Sequence, residues 1–132
     1  MPRDVNTVRP DSPSPDASSL PAEPGSVHVL TGRGKTRVVL SGEVDAELGP
    51  ALLEAAADAA EAATALEVDV QHVTFMDSTG VAFLARLAKE SPSTVRLLNP
   101  TPEVRYLLDI TGVARLLAVE DVTVRGAEVP RA

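Results

Sequence analysis

Val73-Thr74-Phe75-Met76-Asp77-Ser78-Thr79-Gly80-Val81 decides the fold, because an apolar segment ends there on a polar Asp-Ser-Thr-Gly turn and a second apolar segment begins at once. Upstream, Leu66-Glu67-Val68-Asp69-Val70 alternates apolar and charged residues with period two, the pattern of a half-buried strand. Downstream, Val81, Leu84, Ala85 and Ala88 recur at helical spacing with Phe83 and Leu87 beside them, a wide stripe typical of a well-buried helix. The turn is therefore a strand-to-helix junction, with Asp77 or Ser78 as the helix N-cap. A helix N-terminus carries unsatisfied amide donors and roughly half a positive charge, which favours an anionic group by about 0.3–1 kcal/mol. A phosphate on Ser78 would be well placed.

Outward from this junction, strand and helix signals alternate. Val27-His28-Val29-Leu30 reads as a short strand, Thr31-Gly32-Arg33-Gly34-Lys35 as a hairpin turn, and Thr36 to Gly42 as a second strand. Gly49-Pro50 to Ala63 is helical in pattern, with proline tolerated in the first turn and Leu52, Leu53, Ala56, Ala60 and Ala63 available to face the core. Leu66 to Val70 follows as the third strand, Thr79 to Lys89 as the second helix and Thr94 to Leu98 as the fourth strand. Thr101-Pro102 supplies a cap and first turn for a third helix carrying Val104, Leu107 and Leu108, which Gly112 ends. Leu116 to Val119 reads as the last strand. This alternation predicts an α/β layer with parallel or mixed pairing.

A chain of 132 residues suits one domain with a real core. Residues 1–25 are rich in proline and serine and poor in large apolar groups, so they are expected to be disordered. The folded domain is expected over residues 26–125, with 126–132 a frayed end. A net charge of −7 with scattered Lys and Arg argues against nucleic acid and against anionic membranes. No apolar run approaches about 18 residues, so neither a transmembrane helix nor a signal peptide is expected, and a cytoplasmic protein is expected. The chain has no cysteine and two histidines, which removes disulfides and zinc sites, and neither metal nor cofactor is expected. Only Phe75, Phe83 and Tyr106 are aromatic, so the core must be built of Val, Leu and Ala.

Enzymatic readings fit poorly. Gly34-Lys35-Thr36 ends like a nucleotide-binding loop, but position 29 is Val29 rather than glycine and a strand follows. A serine hydrolase built on Ser78 would need His72 as its base, and Ser78 lacks the Gly-x-Ser-x-Gly elbow. A binding module is expected, not an enzyme.

Three segments carry a resemblance to a known family. Leu40-Ser41-Gly42-Glu43-Val44-Asp45 resembles a Gly-Glu-Leu-Asp segment after an early strand, Val73 to Gly80 resembles a Phe-Met-Asp-Ser-Ser-Gly turn, and Leu107 to Val113 resembles a Leu-Phe-Asp-Met-Ser-Gly-Leu helix end. In this order they resemble the STAS domain, and within it the bacterial anti-sigma factor antagonists of the stage II sporulation protein AA type. The heavy use of Ala, Val, Arg, Gly and Pro resembles a high-GC bacterial composition.

The resemblance implies a mixed sheet of four to five strands with helices packed mainly on one face. It also implies phosphorylation of the first hydroxyl in the turn, Ser78, with Thr79 as a second candidate because it replaces the family's second serine. The unphosphorylated antagonist would bind an anti-sigma factor that is also a serine kinase, releasing a sigma factor; a metal-dependent serine phosphatase would reverse the modification. Glu43, Asp45, Asp77, Thr79 and Gly80 are the expected partner contacts, on a monomer or weak dimer. Alternatives stay open at several of these positions. Asp77 and Ser78 could simply cap a helix, Glu43 and Asp45 could serve a turn or a first-helix cap, and Gly80 could serve helix-on-sheet packing. Asn99 reads as a turn residue. After Glu120 the chain departs from the family, reading Asp121-Val122-Thr123-Val124-Arg125-Gly126 where a final helix is usual. The alternative function is a structural subunit of a larger, stressosome-like sensory scaffold.

Overall fold

The computed structural model describes residues 23–122, so most of the expected disordered stretch 1–25 and the expected frayed end 126–132 lie outside the described residues. The chain forms β1 (Ser26–Gly32), β2 (Lys35–Val44), a 3₁₀ turn (Ala46–Leu48), α1 (Gly49–Ala62), β3 (Ala65–Met76) and α2 (Ser78–Glu90). There follow β4 (Val95–Leu98), α3 (Pro102–Thr111), a second 3₁₀ turn (Val113–Leu116) and β5 (Leu117–Glu120). Every expected element is present. The β1–β2 hairpin is tighter than expected: its turn is only Arg33-Gly34, with Gly34 at φ 65°, and Gly32 already pairs with Lys35. Lys35 and Thr36 thus lie in a strand, as no phosphate-cradling loop would have them.

The five strands lie in sequence order, the first pair antiparallel and the other three parallel. Each crossover from β2 onward steps one strand further in the same direction, and a right-handed crossover rule then places every helix on one face of the sheet. The core agrees: Val38, Leu40, Val68 and Leu97 from the strands cluster with Leu52, Leu84 and Leu108 from the three helices. Aliphatic groups build it, with Phe83 the one buried aromatic among the described residues.

Two details differ from the sequence pattern. The buried stripe of α1 is Leu52, Ala55, Ala56 and Ala59, whereas Leu53 is 61% exposed and Ala60 and Ala63 face solvent. In a helix this rich in alanine, apolar residues occupy nearly every position, so periodicity alone does not select a face. Strand β3 continues to Met76 instead of stopping at Val70. Its register against β2 shifts twice, between Val39 and Ser41 and again between Gly42 and Glu43, each time with an extra residue on β3. These bulges space the buried side chains Val70, Val73 and Met76 three apart, which hides the strand from a period-two pattern.

The face of the sheet away from the helices is polar, and its centre is Glu67, a carboxylate only 3% exposed. Lys35 (3.2 Å), Arg37 (3.0 Å) and Arg96 surround it, and Arg96 also holds Glu120 at 2.6 Å. The alternating pattern had placed Glu67 in solvent; three cations that extend over it from neighbouring strands cover it instead. Burial pushes the Glu67 carboxyl up, but the hydrogen bonds and charges of Lys35 and Arg37 outweigh that and hold it below the ordinary carboxylate range. Arg96 holds Glu120 low in the same way.

The start of α2 rests on the strand ends through Gly80, which is buried. A Cβ there would sit 2.5 Å from Met76 Cγ and 3.0 Å from Val44 Cγ1.

Two measurements follow from these contacts. A carboxylate whose folded-state pKa is depressed contributes stability above its unfolded value, near 4.3, and loses it as pH falls through the lower folded value. Urea unfolding should therefore show stability declining below about pH 4.5, with Glu67→Gln flattening that slope and lowering neutral-pH stability by about 1–3 kcal/mol. An unchanged slope in the variant would locate the acid sensitivity elsewhere. At Gly80, alanine should gain about 0.5–1 kcal/mol from helix propensity and lose about 1–3 kcal/mol to overpacking, so Gly80→Ala is expected to lower the unfolding midpoint.

Candidate functional site

The carboxyl ends of β2 and β3 lie side by side, and both carry segments singled out in the sequence. Val44 pairs with Met76, and one residue later the Asp77 amide donates to the Val44 carbonyl at 3.2 Å. That bond ties the Gly42–Asp45 segment to the Asp77–Gly80 turn. Gly42 makes the first segment possible: it has φ 72°, and a Cβ there would collide with the Pro24 carbonyl oxygen.

Asp77 is the N-cap of α2; its Oδ1 accepts from the Thr79 amide at 2.8 Å while its carbonyl accepts from Gly80 and Val81. Of the two candidates for the cap, the carboxylate has taken the role. Ser78 is thereby left as the first helical residue, exposed, with no hydrogen bond from its hydroxyl among the described residues. Thr79 is half-buried and lines a groove of about 410 Å³ between α1 and α2, together with Leu53, Ala82 and Phe83. This groove is a feature the sequence reading missed, because it depends on which face of α1 turns outward.

Asp45 caps the 3₁₀ turn, its Oδ1 accepting from the Glu47 amide at 3.1 Å, so the cap weighed for it is present. Glu43 is half-buried, pairs with Phe75, and donates its amide to the Glu23 carbonyl at 3.1 Å. Glu43 and Asp45 line a second, polar recess of about 170 Å³ with Pro24 and Glu47. Gly80, expected among the partner contacts, lies beneath the surface, where it sets the helix against Met76 and Val44. Asn99 is a turn residue with φ 56°, its side chain accepting from the Val122 amide at 2.6 Å.

His72, the base a hydrolase would need, sits within β3, and strand geometry puts it on the order of 10 Å from the strand end. Among the described residues, no group of three or more His, Cys, Asp or Glu could hold a metal ion, and no helix is long and apolar enough to cross a membrane. Electrostatically carboxylates outnumber cations at the rim, and Arg86, which lines the groove, is engaged by Glu90 at 3.1 Å. Between Arg37 and Arg86 the sequence contains no lysine or arginine, while Glu43, Asp45, Glu47 and Asp77 all fall at these strand ends.

Comparison with known proteins agrees with this arrangement. The chain is 27% identical over 97 residues to the anti-sigma-B factor antagonist of Bacillus subtilis (strain 168), covering 71% of this chain and 89% of that protein. An anti-sigma factor antagonist from Mycobacterium paratuberculosis superposes with a TM-score of 0.66 at 24% identity, over 73% of this chain and 85% of that one. The anti-sigma factor antagonist SpoIIAA in its unphosphorylated form gives 0.62 at 22% identity, over 77% and 94%. These structures share the fold of this chain. A family model described as Mlab, STAS domain, matches residues 28–118, and the chain belongs to the STAS domain family.

Proposed function

We propose that this chain is a cytoplasmic anti-sigma factor antagonist, not an enzyme, and that phosphorylation of Ser78 switches its contact with an anti-sigma factor that is also a serine kinase. The observation that carries the proposal is the placement of Ser78: first residue of α2, exposed, its hydroxyl without a hydrogen bond among the described residues because Asp77 caps the helix. The antagonist named above, 27% identical over most of its length, supports the general role. Thr79 is the weaker acceptor, since it is half-buried and its amide is held by Asp77.

Phosphorylation adds about −1.5 to −2 charge at neutral pH. The α2 amides favour it by about 0.3–1 kcal/mol, and the neighbouring Asp77 carboxylate opposes it by a comparable amount, so the fold itself should barely respond. The energetic change falls on the partner. An interface covering Ser78, Thr79 and the Leu53 groove that must bury a dianion without a matching cation loses several kcal/mol, roughly a hundredfold or more in affinity. Release of the antagonist then returns the anti-sigma factor to its sigma factor, and a metal-dependent serine phosphatase resets the cycle. Glu43, Asp45 and Asp77, on the adjoining strand ends, present carboxylates to the same partner.

Incubation with the candidate kinase and ATP, followed by peptide mass spectrometry, should place a single phosphate on Ser78, with Thr79→Val still modified; phosphate on another residue, or none, would reject the switch. Ser78→Ala should bind the kinase constitutively. Ser78→Asp should bind at least tenfold more weakly by titration calorimetry, short of the phosphate because one carboxylate carries less charge. Asp77→Ala should cost about 1 kcal/mol of stability through the lost cap.

A further inference from the structure

Two of the three aromatic side chains lie outside the core: Phe75 is 50% exposed and Tyr106 66%. Both line one groove of about 260 Å³ between the end of β3 and α3, floored by Met76, Val104 and Leu107. Its origin is topological. β4 pairs only with Glu67–Asp69, so the rest of β3, to Met76, runs on without a β4 partner and α3 passes beside it. Ile110, 61% exposed and one turn beyond Tyr106, prolongs the apolar strip.

The polar members of this groove are negative or neutral. Glu103 lines it with Thr74 and Thr101, and among the described residues no lysine or arginine does. Glu43 is the register partner of Phe75, so the two side chains project from the same face of the sheet. Arg105, the cation on α3, is engaged by Asp121 at 3.0 Å. Aromatic faces beside carboxylates attract a guanidinium, which stacks on a ring and bonds a carboxylate through two N–H groups, better than an ammonium does. A second copy of the chain suits the groove poorly, since an isologous contact sets Glu103 against an identical acidic rim on a chain of net charge −7.

The geometry points to this groove as a docking site for an arginine-bearing segment of a different protein, the guanidinium lying over Tyr106 or Phe75 and bonded to Glu103. Naming that protein as the kinase rests on the proposed antagonist role; the chemistry of the groove does not. Phe75 and Ser78 are three residues apart in the sequence, so one partner can cover both.

The test uses the ¹⁵N-labelled full chain, titrated with a blocked Leu-Arg-Ala-Arg peptide and with its Leu-Glu-Ala-Glu counterpart. The arginine peptide should shift the Thr74, Phe75, Glu103 and Tyr106 amides and bind at least about tenfold tighter than the glutamate peptide. Glu103→Lys and Tyr106→Ala, both at exposed positions, should each weaken it about tenfold with the rest of the spectrum unchanged, and Ser78→Asp should leave it bound. Equal binding of the two peptides, or shifts confined to other surfaces, overturns the inference. Patch shifts that follow protein concentration would assign the groove to a second copy. Broadening of the patch by a nitroxide on Ser14→Cys would assign it to the chain's own N-terminal segment. Either result overturns the proposal. Against the kinase, Tyr106→Ala should lose about thirtyfold in affinity. A kinase that fails to bind the wild-type chain would reject the antagonist role and leave the peptide result to decide the groove.

Discussion

Three successive crossovers step the same way across the sheet, and the right-handed rule for such connections drives all three helices to one face. From that constraint comes a single apolar layer, clustered around Leu40, Val68, Leu84 and Leu97, and a second face left to water. The polar face can then hold an ionised group such as Glu67, because cations from β2 and β4 reach it without crossing the core. Parallel pairing of β2 with β3 brings their carboxyl ends together, so two segments more than 30 residues apart in sequence meet through the Val44–Asp77 hydrogen bond. Strand order never reverses within the parallel part of the sheet. A doubly wound sheet opens a crevice for nucleotides where its order reverses, and this sheet has no such point. The topology leaves an open rim at the strand ends, which the proposed function assigns to a partner protein.

The division of labour between Asp77 and Ser78 has an electrostatic logic. Had Ser78 been the cap, its oxygen would hold a helix amide, and modification would disturb a bond worth about 1 kcal/mol. With Asp77 as cap, the serine oxygen makes no hydrogen bond among the described residues, and the helix start would keep its cap through a change in the serine's charge. Gly80 completes the arrangement by letting α2 approach Met76 and Val44 closely, which fixes Ser78 at the sheet's rim. In the proposed switch the helix amides and the adjacent carboxylate would act on a phosphate with opposite sign and similar size, leaving the folded state nearly indifferent while a partner would respond.

Most of the architecture was legible because its signals are local. Asp77, Thr101 and Gly112 are cap residues whose side chain or permitted φ fixes a boundary, and each does so in the structure. The positions misjudged depend on longer-range geometry. Nothing in Leu52-Leu53-Glu54-Ala55-Ala56 says which leucine turns inward, since the choice is made by the sheet that α1 packs on. The bulges of β3 arise from pairing with β2 and leave no periodic trace in the sequence. Glu67 looked like a solvent-facing charge because its three covering cations come from other strands. At the candidate site, the strand-to-helix turn that carries Ser78 was legible in the residues, while the α1–α2 groove and the Phe75–Tyr106 groove were not: each joins elements distant in sequence.

Where the aromatic residues fall bears on how a partner would be held. An aliphatic core needs no ring beyond Phe83, so nothing in folding calls for Phe75 or Tyr106 where they stand, half or more exposed. A typical interface covers about 800 Å² on each partner, enough for a footprint reaching from the Tyr106 groove past Ser78 to the groove beside Thr79. Within such a footprint, aromatic anchors supply most of the affinity, and charges at the rim govern encounter rate and discrimination. A phosphate added at Ser78 would then act on one part of the contact while the aromatic anchor stays intact. The switch would lower affinity by a ratio instead of abolishing recognition, and a kinase and a phosphatase could each still find the same chain.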